Sequence, residues 1–102
     1  ADSFNINGNS KRFLNSLHDF LRQNQNLKVE IGGHTNGLPS HAYCDNLSLK
    51  RARSVRLYLI RKGIIPSRIS YRGYGKRKPI SDNETVEGRK KNQRVEMIIT
   101  NV

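Results

Sequence analysis

The sequence predicts an α+β fold, a two-layer sandwich in which a mixed β-sheet carries its helices on one face. Three observations lead to it. Phe13, Leu14, Leu17, Phe20 and Leu21, and later Ala52, Val55 and Leu59, recur at the spacing of one helical face. Leu27, Val29 and Ile31 alternate with Lys28 and Glu30, and Val95, Met97 and Ile99 alternate with Arg94, Glu96 and Ile98, which is the period of a strand. Finally, a strand, helix, strand passage runs through the middle of the chain. Neither helix is apolar all round, so both must shield the same side of one sheet.

At 102 residues the chain has room for one core, so residues 1–102 are read as a single domain. With 34% hydrophobic residues and a mean hydropathy of -0.74, that core must come from amphipathic elements rather than continuous apolar runs. No stretch approaches the ~20 apolar residues of a transmembrane helix, and the N-terminus lacks a signal-peptide layout. The expectation is a mature domain or an excised piece. Nineteen Lys and Arg against eight Asp and Glu give a formal charge of +11, which suits a polyanionic partner or a solvated basic surface equally. The single cysteine, Cys44, cannot form an internal disulfide.

Taken in order, Phe4 and Ile6 alternate too briefly to define a strand. Ser10 is the expected N-cap of the first helix, which should end near Gln23 to Asn26. The strand at Leu27 to Ile31 is expected to stop at Gly32-Gly33. The second helix is expected to carry Asp45, Asn46 or Ser48 as its cap and to stop at Lys62, with Gly63 in the C-terminal cap and Pro66 beyond it. Ile69, Tyr71 and Tyr74 form a third strand, broken into a loop by Gly73, Gly75 and Pro79. Thr85 to Lys91 holds a helical turn or two, and the chain ends on the strand at Val95 to Ile99.

The chemistry gathers between Gly33 and Ala52. Thr35 and Asn36 follow a glycine pair, and Gly37 and Pro39 keep the backbone exposed, so this loop can offer N–H groups to an anion. Lys50, Arg51 and Arg53 fall in the expected first turns of the second helix, where the macrodipole disfavours cations by ~0.3 to 1 kcal/mol each. A bound carboxylate would account for them, as would an ion pair with Asp45 or Glu96. His34, His41, Cys44 and Asp45 are zinc-ligand types, but there is no second clustered pair, and no metal or cofactor is expected. A Cys44 and His41 nucleophile pair lacks an orienting third group and an oxyanion hole, so no catalytic residues are expected. Arg72-Gly73-Tyr74-Gly75 with Lys76-Arg77-Lys78 matches the opening of an RNA-recognition strand motif and then departs from it.

Gly33-His34-Thr35-Asn36, Leu47-Ser48-x-x-Arg51-Ala52-x-x-Val55-x-x-Tyr58-Leu59, Gly63-Ile64, Arg68, Gly73-x-Gly75-x-x-x-Pro79, Asn83 and Gly88-Arg89-x-x-Asn92-x-Arg94-Val95-Glu96 together resemble the OmpA-like C-terminal domain, the family that includes OmpA, Pal and MotB. The resemblance implies a β-α-β-α-β-β order with the first strand absent or truncated here. It implies a non-enzymatic periplasmic, outer-membrane-associated domain of a Gram-negative bacterium, part of a larger protein, that binds the diaminopimelate of the peptidoglycan stem peptide and anchors that protein to the cell wall.

Residue by residue, Arg51 matches the family's carboxylate-binding arginine, and Arg94 the arginine of its Asn-x-Arg-Val motif. The family's ammonium-binding aspartate falls at Asn36. The expected site is therefore Thr35 and Asn36 on the peptide's polar groups, Arg51 on a carboxylate and Asp45 on the ammonium in place of the missing aspartate. Tyr43, Leu47 and Arg94 line it. Two other functions remain open at this point: a basic nucleic-acid-binding domain using Tyr71 and Tyr74, and an OmpA-like protein-interaction domain that has lost its ligand.

Overall fold

The computed structural model describes residues 8–37 and 40–101. The segment around Phe4 and Ile6, and Pro39, lie outside the described residues. The first helix, α1, is Gly8–Gln23, so Ser10 sits inside the helix rather than capping it. Its apolar stripe buries Leu14, Leu17 and Leu21. It ends where the amide-rich segment begins, and a distant guanidinium helps to close it. Arg68 Nη2 donates to the carbonyls of Leu21 at 2.9 Å and Asn24 at 2.8 Å, and its Nε to Leu27 at 3.0 Å. The Leu21 carbonyl is one of those a helix end leaves unpaired, and the other two fix the turn that follows it.

The first described strand, β1, is Val29–His34, and the second helix, α2, is His41–Arg61. Both differ from expectation for physical reasons. Gly32 and Gly33 do not stop β1; they lie within it, because α2 crosses the sheet so closely that a Cβ on Gly33 would overlap the carbonyl oxygen of Ser48. The same holds for Gly73 in the next strand, β2 (Ile69–Gly75), where a Cβ would stand 2.6 Å from the amide nitrogen of Leu49. These glycines provide a close approach rather than a turn.

The cap of α2 is Ser40, whose Oγ accepts from the Tyr43 amide at 3.3 Å. Asp45, Asn46 and Ser48 are consequently inside the helix. Lys50, Arg51 and Arg53 fall in mid-helix, beyond the reach of the N-terminal dipole, so that field gives no reason to expect an anion beside them. The C-terminus agrees with expectation: Lys62 caps, Gly63 follows at φ 104°, and Pro66 opens a 3-10 turn, Pro66–Arg68.

A short helix, α3, is Val86–Asn92, capped by Thr85 Oγ1 accepting from Gly88 N at 2.9 Å, and β3 is Arg94–Ile99. The sheet order among the described residues is β2-β1-β3, with β1 parallel to β2 and antiparallel to β3, so the sheet is mixed. Val29, Ile31 and Ile69 point toward the helices and close the core with Leu14, Leu17, Leu21, Ala52, Val55, Leu59 and Ile64. The opposite face carries Glu30, Gly32 and His34 of β1, Arg72 and Tyr74 of β2, and Arg94 and Glu96 of β3. This is the α+β two-layer arrangement the sequence predicts. Among the described residues no helix is long and apolar enough to cross a membrane.

Candidate functional site

The site is built where β1 runs out. Thr35 is almost fully buried and its amide donates to the carbonyl of Gly75 at 2.8 Å, which pins the loop to the end of β2. The Asn36 carbonyl lies 3.7 Å from the thiol of Cys44, so the loop is also held from above by α2. Ser48, fully buried, accepts from Gly75 N at 2.9 Å and donates to the Asp45 carbonyl at 3.1 Å. That hydroxyl fastens α2 to the end of β2.

From below, the loop meets the segment before α3. A Cβ on Gly37 would stand 2.5 Å from Asn83 Nδ2, so the Asn83 amide closes directly against Gly37. Asn83 is held in turn by Asn92, which is fully buried and satisfied on all sides. Asn92 Oδ1 accepts from Ile80 N and Ser81 N at 2.8 and 2.9 Å, and its Nδ2 donates to Ser81 O at 2.9 Å and to Asn83 Oδ1 at 2.7 Å. Arg89 Nη1 donates to the Asn83 carbonyl at 2.9 Å. Asn83, Arg89 and Asn92 carry no site role in the sequence reading. Their signal was present as amides and a guanidinium at fixed places in the motif, but only the fold brings them to Gly37.

Helix α2 presents two flanks. At 100° per residue, Cys44, Ser48, Ala52, Val55 and Leu59 face the sheet. Arg51, 8% exposed, lies seven residues after Cys44 and so on the same stripe, turned toward the flank that carries Leu47 and Tyr43. Leu47 is nearly buried and Tyr43 is 41% exposed, and with Asn46 and Lys50 they line a groove of about 230 Å³.

Asp45 points to the other flank. Its direction differs from that of Arg51 by about 120°, and both its oxygens are taken by the fork of Arg77 (Nη1 to Oδ1, and Nη2 to Oδ2 at 3.0 Å). The Arg77 hydrogen bond holds the Asp45 carboxyl below its ordinary range. This pair borders a groove of about 330 Å³ with Asn46, Leu49, Arg72, Gly73 and Tyr74. The structure thus gives Asp45 a different partner from the ligand ammonium expected for it.

Arg94 is separated from Arg51 in another way. It pairs across the strands with His34, while its neighbour Val95 pairs with Gly33 and packs on the core, so Arg94 projects from the face that lacks helices. Its guanidinium donates to Glu96 Oε1 at 2.6 Å, to Lys78 O at 2.9 Å and to Asn92 O at 3.3 Å. Burial raises the Glu96 carboxyl, but the hydrogen bond and charge of Arg94 outweigh it and hold the group low.

Beside this pair, His34 is 1% exposed. Glu96 Oε2 lies 3.3 Å from its Nε2 but out of line for a hydrogen bond, and both ring nitrogens are left without a hydrogen-bond partner. Burial, and then the charge of Arg94, lower its pKa. His34 stacks on Tyr74, with centroids 5.1 Å apart and planes at 6°. Arg72 and Lys78 also lie over the Tyr74 ring, and the Tyr74 hydroxyl donates to Glu30 at 2.5 Å. Arg56 lies over the ring of Tyr71. Both tyrosines that a nucleic acid would need as stacking platforms therefore already have ring partners. Among the described residues no three His, Cys, Asp or Glu side chains gather as a metal site.

A family model described as the OmpA family matches residues 1–93. Outer membrane porin F of Pseudomonas fluorescens is 41% identical over 91 residues, covering 89% of this chain and 28% of that protein. The peptidoglycan-binding protein ArfA of Mycobacterium tuberculosis is 37% identical over 86 residues, covering 84% of this chain and 26% of that protein. The chain thus spans little more than a quarter of the length of these relatives. Among solved structures, the C-terminal domain of Helicobacter pylori MotB superposes with a TM-score of 0.85 at 26% identity, covering 100% of this chain and 78% of that one.

Proposed function

The chain belongs to the OmpA family, and we propose that it binds the stem peptide of peptidoglycan without catalysis and so ties a larger envelope protein to the cell wall. The observation that carries this reading is Arg51. Its guanidinium, 8% exposed, lies on the helix stripe whose Cys44 touches the Asn36 loop, at the position that matches the carboxylate-binding arginine of the family, and its fork suits a ligand carboxylate. The diaminopimelate of a stem peptide supplies such a carboxylate beside peptide amides. Thr35 contributes a buried hydroxyl without a partner, Asn36 a neutral amide, and Tyr43 and Leu47 the apolar wall of the adjoining groove. Arg94 serves from the far face, by holding the Lys78 carbonyl and Glu96, rather than by touching the peptide.

The setting follows from the relatives. One mycobacterial relative is named for peptidoglycan binding, others for the outer membrane, and one, from Vibrio parahaemolyticus, is the sodium-type flagellar protein MotY. A periplasmic position, attached to the outer membrane through the rest of a longer protein, fits both them and a basic domain meeting a carboxylate-bearing polymer. The test is co-sedimentation of the purified chain with purified peptidoglycan, followed by calorimetric titration with a diaminopimelate-containing muropeptide. Binding that free diaminopimelate competes away, and that Arg51→Ala loses, is the expected result. A wild-type chain that stays in the supernatant would sink the proposal.

A further inference from the structure

The charge of the site, once the side chains are placed, selects among stem peptides. Resting on the peptide-binding reading above, we infer that this chain prefers a stem peptide whose diaminopimelate side-chain amine is acylated, as it is in a peptidoglycan cross-link, over one with the free ammonium.

The groups that meet around Gly37 are neutral or cationic. Asn36 contributes an amide, Thr35 a buried hydroxyl without a partner, and Asn83 a second amide whose orientation is fixed. Because Asn83 Oδ1 accepts from Asn92 Nδ2 at 2.7 Å, the Asn83 Nδ2 is the end turned against Gly37. The loop therefore presents a donor, with the Arg89 guanidinium bound to the Asn83 carbonyl close behind it. An ammonium has only donors to offer and would meet Asn83 donor to donor. An acylated amine has a carbonyl to accept from Asn83 and an N–H to give to the Asn36 side-chain oxygen, and it carries no charge to desolvate.

Three of the carboxylates that might compensate an ammonium already have partners. Asp45 is in the fork of Arg77 on the other flank of α2, and Glu96 is bound to Arg94 on the helix-free face, where Glu30 accepts from Tyr74. Asp82 and Glu84, on either side of Asn83, are exposed to solvent, and Asp82 accepts from the amide of Glu84. In a chain of formal charge +11 this arrangement disfavours a cationic group at the loop.

The experiment compares two synthetic stem peptides, L-Ala-γ-D-Glu-diaminopimelate with its side-chain amine free and the same peptide N-acetylated there. Each is titrated calorimetrically into the wild-type chain and into Asn36→Asp, with circular dichroism to confirm that the variant is folded. The wild type should bind the acetylated peptide tighter by about tenfold, the difference between losing and keeping a well-matched hydrogen bond. Asn36→Asp should reverse the order, because a carboxylate restores a partner for the ammonium. Tighter binding of the free-amine peptide by the wild type, or a ratio that Asn36→Asp leaves unmoved, overturns the inference while leaving peptide binding in place. If neither peptide binds either protein, the peptide-binding reading falls and this inference falls with it.

Discussion

The two flanks of α2 carry the same kinds of residue and do different work. On one, Arg51 is nearly buried beside Leu47 and above a loop of neutral amides; on the other, Asp45 and Arg77 are each about half exposed and satisfy each other. On the proposed reading the nearly buried Arg51 takes a ligand's carboxylate, whereas an exposed, mutually neutralised pair has little left to offer one. Burial and partner, rather than residue type, distinguish the two flanks.

The largest effect should come from removing what both flanks share, the close seat of α2 on the sheet. Gly33→Ala drives a Cβ into the Ser48 carbonyl, which neither backbone can yield cheaply, and should cost about 3 kcal/mol or more in urea unfolding. A loss within error would mean that α2 is not seated as described. Next is Asn92→Ala, which strips the partners from Ile80 N, Ser81 N and the Asn83 side chain at a fully buried position. About 2 to 3 kcal/mol of stability should go, with peptide affinity falling further than the unfolded fraction accounts for.

Arg51→Ala tests the contrast itself. Affinity for the muropeptide should drop about tenfold to a hundredfold, while Asp45→Asn should leave it within about a factor of two. Equal losses from the two variants would erase the distinction between the flanks.

Smaller effects appear with pH. The folded pKa of His34 lies below its ordinary 6.5, so on acidification through 6.5 the unfolded chain takes up the proton first and stability falls until the lower folded value is passed. Replacing it by Phe should flatten the unfolding midpoint over that window. The slightest is the Asp45 contribution. Its depressed folded pKa gives stability that is present above the unfolded value of 3.8 and lost as pH falls through the folded one. Because the pair is exposed, high salt should remove most of it, and a salt-insensitive acid limb would put the cause elsewhere.

How much of this was legible in the sequence varies by residue. The stripe of Leu14, Leu17 and Leu21 and the alternation of Val29 and Ile31 gave their elements directly, because side-chain period follows from backbone geometry. Gly63, at positive φ after α2, was read correctly as a cap for the same local reason. Gly33 and Gly73 were misread as breakers, since a glycine needed for a turn and one needed for a neighbouring backbone look alike in a string. Asp45 was expected as a helix cap or an ammonium partner; Ser40 starts α2 earlier, and Arg77, far along the chain, pairs with the carboxylate.

The sequence by itself determined the class of the fold, the family and the place of Arg51 on the apolar stripe of the second helix, all of which rest on local period and on ordered matches along the chain. Only the tertiary structure decided which flank each side chain occupies, that Arg94 stands on the opposite face of the sheet from Arg51, and that Asn83 turns its donor toward Gly37. The reason is physical: those outcomes depend on how tightly α2 sits on two glycines and on which distant group reaches a charge first, and neither distance is written in the spacing of residues along the chain.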